Sequence, residues 1–446
     1  MSVPFLTGTF QTVCTFSPIH WHWKYTTVWV ERKVTQLLSH SNLLPTVAYN
    51  SGRVAFRLPA PTPRVRNFHM SGQLPADADV WVLAGQSNMA GSGFGEAPET
   101  PSDRVWMYTL RDEWKIAEES FVADRYEAVD EAFAIMRGER DKHFADPNYR
   151  KQQAATWRSA GTGLGLPFGK AMAQYTGKPV GLMICAKGDT RMEEWTPDYN
   201  GHPYMALYQA TLRRIRKVGR PIKGILWDQG ASDTFDGKAK LYVERMNKMV
   251  AAFRRDLNQP DLPFFYGQIA IFPLQTEEEL PDWNLIQEMQ RQLEPALAPG
   301  GMVAGIDLAH CDWGHYSTAA LKRFGRRFAK VVRRQLYHDT SIEIGPRPVA
   351  VERDSNDPKV LHVRYNSVNG RLLPEDRVAG FVVHWPGATR NMVCAALVTS
   401  PNTVRVTCIK PIPASSTIRY GYGLTAFCNL TDAEDLAAPV FGPWTI

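Results

Sequence analysis

Asp79-Val80-Trp81-Val82-Leu83-Ala84-Gly85-Gln86-Ser87-Asn88-Met89-Ala90-Gly91 joins an apolar run to a turn of small and polar residues. Val80 to Ala84 is uninterrupted in its apolar character, which predicts a short strand buried on both faces. Gly85 ends that run and lets the backbone bend. Ser87 then stands at the carboxyl end of a buried strand with its hydroxyl exposed, well placed to be a nucleophile. A Gly-x-Ser turn also has a purely structural reading, so the rest of the chain must supply its context.

Downstream, the pattern alternates. Pro167 to Tyr175 reads as a helix and Pro179 to Cys185 as a strand. Tyr204 to Val218 is helical, Ile222 to Trp227 a strand, Leu241 to Leu257 a helix and Pro263 to Phe272 a strand. Trp283 to Leu297, Gly301 to Leu308 and the basic amphipathic run Ser317 to Leu336 close the series as helix, strand and helix. Strands alternating with helices predict an α/β fold with a parallel five-stranded sheet covered on both faces. Such a sheet carries its functional loops at the carboxyl ends of its strands.

Three other stretches set the domain limits. Leu58 to Arg66 is proline-rich and reads as a linker, and nothing before it sustains a period of 2 or 3.6. Residues 1–72 are therefore expected to be a disordered extension, followed by a catalytic domain over 73–340. Glu118 to Arg158 mixes acids and bases and interrupts the alternation; it reads as a lid or as a solvated helical excursion. After residue 340, short β-type runs separated by turn residues predict a β-sandwich over 341–446.

Composition excludes several classes. A chain of 446 residues with 44% hydrophobic and 22% charged residues is globular, not collagenous, rod-like or wholly disordered. No apolar stretch is long enough for a membrane span. The net charge is +6, of which residues 1–80 carry +4, so the body is nearly neutral and lacks the basic face of a nucleic-acid binder. No signal peptide is recognisable. That reads as cytoplasmic from this start, and as periplasmic or secreted if translation starts elsewhere. The six cysteines have no metal-ligand spacing, so no metal is expected. Cys394 and Cys408 flank Ser400-Pro401-Asn402; across a hairpin they could form a disulfide, or both could be buried free thiols. Oligomeric state is not legible.

A serine needs a base to take its proton, and histidine has the right pKa near neutrality. Asp312-Trp313-Gly314-His315 offers both the base and a carboxylate to fix its tautomer, in a loop before the last helix. The bland alternative is that Asp312 caps that helix. Oxyanion donors could come from the Ser87 N–H, from Gly161-Thr162-Gly163-Leu164-Gly165, and from the amide of Gln229 in Trp227-Asp228-Gln229-Gly230.

Taken in order, GQSNMAG, GTGLG, WDQG and DxxH resemble the SGNH-type esterases, closest to carbohydrate esterase family six and the sialate O-acetylesterases. The resemblance covers roughly residues 79–336. It implies a flavodoxin-like three-layer α/β/α fold and removal of acetyl groups from sugar hydroxyls. It assigns Ser87 as nucleophile, His315 as base and Asp312 as orienter, with Ser87, Gly163 and Gln229 as the oxyanion hole. Gln86, Asn88, Thr190 and Trp195 are expected near the substrate, and Trp195, Trp227 and Trp313 around a sugar-sized cleft. No cofactor is implied. The sequence departs from the family's Gln-Gly-Glu-x-Asp at Ala231, where the glutamate is missing. Two rival readings remain: an esterase for small non-sugar esters, and a carbohydrate-binding protein that has lost catalysis.

Overall fold

The computed structural model describes residues 71–446, apart from 94–95, 98, 110–111, 120–161, 202–204, 274–281 and 388–389. Ser71 and Gly72, the end of the expected N-terminal extension, form a short strand rather than a disordered tail; the rest of that extension and nearly all of the expected lid lie outside the described residues. The described residues form one compact unit.

The alternating half of this unit builds an eight-stranded mixed sheet. Its strands are β1 (Ser71–Gly72), β2 (Asp79–Gly85), β3 (Val105–Tyr108), β4 (Trp114–Ile116), β5 (Val180–Ala186), β6 (Gly224–Asp228), β7 (Phe264–Gln268) and β8 (Gly300–Ala304). The order is β1-β4-β3-β5-β2-β6-β7-β8. The five strands expected from sequence are β2, β5, β6, β7 and β8, all joined in parallel. The expectation of only five is corrected at one edge. There β3 adds a parallel pair with β5, and β4 and β1 extend it through antiparallel pairs. These three strands have two to four residues each, too few to show a period.

Strand β2 shows why the sheet is two-faced. Trp81 and Leu83 enter one core with Phe168, Leu226, Phe265, Phe324 and Phe328. Val80, Val82 and Ala84 enter the other with Trp227, Tyr208, Tyr242 and Phe253. Alternate residues of a strand point to opposite faces, so a strand buried on both sides is apolar throughout. Helices α2 (Gly165–Thr176) and α6 (Thr318–Leu336) supply the first core. Helices α3 (Leu207–Val218), α4 (Tyr242–Asp256) and α5 (Trp283–Leu293) supply the second. The short helix α1 (Ser87–Ala90) follows β2 directly.

The last hundred residues form antiparallel sheets, a four-stranded one and a three-stranded one among them. The first contains β9 (Arg347–Arg353), β10 (Val360–Asn366), β12 (Val393–Ser400) and β13 (Thr403–Cys408). The second contains β11 (Phe381–His384), β14 (Thr417–Tyr420) and β15 (Phe441–Thr445). Leu361, Val363, Val404 and Val406 of the first meet Phe381, Val383, Ile418 and Tyr420 of the second in a shared core. The Pro401-Asn402 hairpin forms as expected, but the disulfide does not. Val393 pairs with Cys408 and Ala395 with Thr407, so Cys394 is the bulged residue between them. Cys394 is exposed, Cys408 is buried, and both are free thiols.

This antiparallel part also grips the large sheet. Gln268 at the end of β7 exchanges two hydrogen bonds with the Val440 backbone, at 3.0 and 2.8 Å. The Phe272 N–H donates to Leu424 O at 2.8 Å. The segment from Ile269 to Phe272, which follows β7, is thus held from the C-terminal side.

Candidate active site

Gly85 sets the local geometry around Ser87. It has φ +129°, and a Cβ there would lie 2.2 Å from the Asp228 carbonyl oxygen. Only glycine fits both the torsion and the close approach of β6. The Gln86 N–H donates to that same Asp228 oxygen at 2.7 Å. The chain then turns into α1, whose first residue is Ser87.

His315 arrives from the opposite direction, in the loop between β8 and α6. Its Nε2 lies 2.9 Å from Ser87 Oγ, and its Nδ1 lies 2.8 Å from Asp312 Oδ2. Asp312 Oδ1 accepts the N–H groups of Gly314 and His315, each at 2.8 Å. Burial pushes the Asp312 carboxyl up, but the Gly314 N–H and the His315 contacts outweigh it and hold the group below its ordinary value. A carboxylate on Nδ1 leaves Nε2 facing the hydroxyl as an acceptor. Asp312 does not cap α6; Ser317 does, accepting the Ala320 N–H at 3.2 Å. The expected fifth strand is also shorter than read: β8 ends at Ala304, and Asp307 lies beyond it.

Asn88 locks the two loops together. Its Oδ1 accepts the Tyr316 N–H at 3.1 Å, and its amide reaches Gly314 O at 3.4 Å, one residue on either side of His315. Gln86 plays a similar part beneath the serine. Its amide donates to Ser232 Oγ at 2.6 Å and its Oε1 accepts the Gly230 N–H at 3.0 Å. Both residues border the cleft while their side chains are bound to protein.

That cleft has a volume of about 550 Å³ and contains Ser87 and His315 in its wall. Its apolar side is Phe235, Ile269, Ile271, Phe272, Trp283 and Trp313. Trp313 is 48% exposed and packs edge-on to Phe272, with ring centroids 5.2 Å apart. Of the three tryptophans expected to shape the cleft, only Trp313 does so. Trp195 and Trp227 are fully buried against each other, 4.9 Å apart, and Trp283 takes a place sequence reasoning missed. Thr190 is fully buried as well, accepting the Trp195 indole N–H at 3.2 Å and donating to Lys187 O at 2.9 Å. Thr190 and Trp195 lie under the cleft, not on its wall.

Two of the groups expected to donate to an oxyanion, the Gly163 N–H and the Gln229 amide, are engaged by other partners. The Gly163 N–H donates to the Glu119 carboxylate at 3.1 Å, and the loop's Leu164 carbonyl packs where Gly325 of α6 leaves room. Gly163 is absent from the cleft wall. Gln229 is fully buried, its amide donating to Thr190 O at 3.0 Å and to Asp233 Oδ2 at 2.5 Å. Gly188 lines the cleft instead. The Lys187 N–H donates to Gly85 O at 2.9 Å, which seats Gly188 beside the serine turn. The available signal was position: Gly188 follows β5, the strand next to β2. The first N–H groups of a helix have no intrahelical partner, and Ser87 is the first residue of α1.

One further acid borders the cleft. Asp228 is 5% exposed, and its Oδ2 has no hydrogen-bond partner among the described residues. Burial alone pushes its carboxyl up to about 7. Below pH 3.8 it is protonated folded and unfolded; above that the unfolded state ionises first, so stability falls until about pH 7. Asp228→Asn removes that loss. Its thermal midpoint is expected to match wild type at pH 4 and exceed it at pH 7. An equal difference at both values would refute the assignment.

A family model described as carbohydrate esterase, sialic acid-specific acetylesterase, matches residues 77–334. A probable carbohydrate esterase from Arabidopsis thaliana is 32% identical over 197 residues, which cover 43% of this chain and 68% of that protein. A solved carbohydrate acetylesterase from Xanthomonas citri has the same fold, with a TM-score of 0.59 at 20% identity over 82% of this chain and 81% of that one. The family match runs from β2 through α6 and takes in both loops that meet at Ser87. This chain therefore belongs to the sialic acid-specific acetylesterase family of carbohydrate esterases and is a carboxylic ester hydrolase.

Proposed function

We propose that this protein is a serine esterase that removes O-acetyl groups from carbohydrate through a Ser87-His315-Asp312 triad. The observation that carries the reading is the unbroken chain of contacts from Ser87 Oγ through His315 to Asp312, at 2.9 and 2.8 Å, on the wall of an open cleft. Ser87 Oγ attacks the acetyl carbonyl as His315 Nε2 takes its proton. The N–H groups of Ser87 and Gly188 receive the developing oxyanion. His315 returns the proton to the departing sugar oxygen, leaving an acetyl-enzyme. A water then attacks the acetyl carbonyl as it gives a proton to His315, the bond to Ser87 Oγ breaks with His315 returning the proton to Oγ, and acetate leaves.

The strand order supports the SGNH-type arrangement. Taken in chain order, the five long parallel strands lie as 2-1-3-4-5, the flavodoxin-like order, with Ser87 at the switch point. The change from parallel to antiparallel pairing before Arg347 supports a catalytic domain over 73–340 and a β-sandwich domain after it.

Acetate release from acetylated xylan, 9-O-acetyl sialic acid and p-nitrophenyl acetate tests the reading. Release from at least one acetylated carbohydrate is expected, and the preferred one names the substrate. Release from the aryl ester alone would reject the carbohydrate assignment.

A further inference from the structure

His310 lies in the cleft with Ser87 and His315, and the mechanism above leaves it without a role. Its Nδ1 sits 3.2 Å from Leu308 O. A carbonyl only accepts, so Nδ1 carries the proton. Burial pulls the ring below its ordinary value of 6.5, which keeps it neutral at pH 7. A neutral imidazole protonated at Nδ1 presents Nε2 as an acceptor. Among the described residues no group donates to that nitrogen.

The ring is also held still. It packs against Tyr316, with centroids 4.9 Å apart. Its backbone is bridged to that of Tyr316, and the Cys311 and Ser317 N–H groups donate to His315 O and Ala309 O, each at 2.9 Å. The loop that carries His315 therefore fixes His310 as firmly. A rigid acceptor in a cleft asks its ligand for a donor. An acetyl group has none, whereas an acetylated sugar carries hydroxyls beside the ester.

We infer that His310 is a specificity residue, its Nε2 accepting a hydrogen bond from a free hydroxyl of the substrate's alcohol portion, so that the cleft selects acetylated polyols over simple esters. This rests on the serine esterase reading and names what it prefers. Trp313, exposed and adjoining His315, offers the apolar surface for a sugar ring in the same cleft.

The test compares two esters and two variants. One ester is a mono-O-acetylated pyranoside with free hydroxyls; the other is p-nitrophenyl acetate, whose alcohol portion has no second hydroxyl. His310→Phe keeps an aromatic ring and loses the acceptor. It is expected to lower kcat/KM on the sugar ester by on the order of tenfold and on the aryl ester by less than about twofold. His310→Gln retains an acceptor and is expected to recover most of the loss. Equal losses on both esters, or no loss on either, would overturn the assignment while leaving the esterase reading intact. A folded wild type inactive on both esters would overturn both.

Discussion

Ser87→Ala is expected to lower kcat for acetate release by about 10⁴-fold or more while leaving the fold unchanged. The magnitude follows from what the hydroxyl does. Without Oγ there is no acetyl-enzyme, and water must attack the ester directly from the same cleft. The N–H donors and the binding surface remain, so residual turnover over the uncatalysed reaction is expected. The substitution removes one hydroxyl from a half-buried position and opens no cavity in either core. Circular dichroism and the denaturation midpoint should match wild type, which separates lost chemistry from lost folding. His315→Ala should be as severe, and the double variant little worse, because nucleophile and base act as one unit. A Ser87→Ala enzyme retaining a tenth of wild-type kcat would exclude Ser87 as nucleophile.

The parts legible in the sequence share a physical reason. Strand β2, the turn at Gly85 and the Asp312-to-His315 loop are local features, and local features leave local patterns. Five apolar residues in a row mark a strand buried on both faces, and a histidine three residues after an aspartate can be held by it within one turn. The misplaced residues depended on neighbours distant in the chain. The flanks of Gly163 suit an oxyanion donor, but Glu119, 44 residues away, occupies its N–H. Gln229 carries the right amide, but Asp233 and the Thr190 carbonyl occupy it from below. Trp195 and Trp227 are large aromatics of the kind that line sugar clefts, and equally the kind that fill a core. Burial decides between those roles, and burial is set by the assembled sheet. The segment Lys187-Gly188-Asp189-Thr190 resembles the family's substrate-side Gly-x-Thr motif, but that Gly188 could act as a backbone donor depends on the neighbouring strand, not on its own flanks.

The absence of a glutamate at Ala231 takes on a different weight in the structure. Ala231 lines the cleft, while the aspartate two residues later accepts the Met192 N–H at 2.9 Å and the Gln229 amide. The polar framework under Ser87 therefore holds without that carboxylate. What changes is the cleft wall, which gains room and loses a charge beside Ser232 and Phe235.

Arg327→Leu is expected to destabilise the protein by about 3–5 kcal/mol, the largest stability loss foreseen for a residue outside the cleft. The arginine is 1% exposed in the middle of α6. Its guanidinium grips Asp307 with two bonds, 2.6 and 2.7 Å, and donates to the Ala304 carbonyl at 3.2 Å and the Asp435 carbonyl at 2.5 Å. One side chain thus joins the end of β8, the loop leading to Asp312 and His315, and the Asp435 turn of the C-terminal part. Leucine would fill much of the volume, so the cost is electrostatic: the Asp307 side chain, 5% exposed, loses its buried partner. Arg323 lies 3.1 Å from Asp307 but is half-exposed and shared with Asp435, so it compensates only in part. Asp307→Asn should cost less, because a neutral amide still accepts from the arginine. Pairing Arg327→Leu with Asp307→Asn should return part of the loss, since no buried charge is then left alone. Urea denaturation with an unchanged m-value measures all three variants. A single-variant loss below about 1 kcal/mol would mean that the pair is only as valuable as a surface ion pair. The two halves of the molecule would then be held chiefly by their shared apolar core.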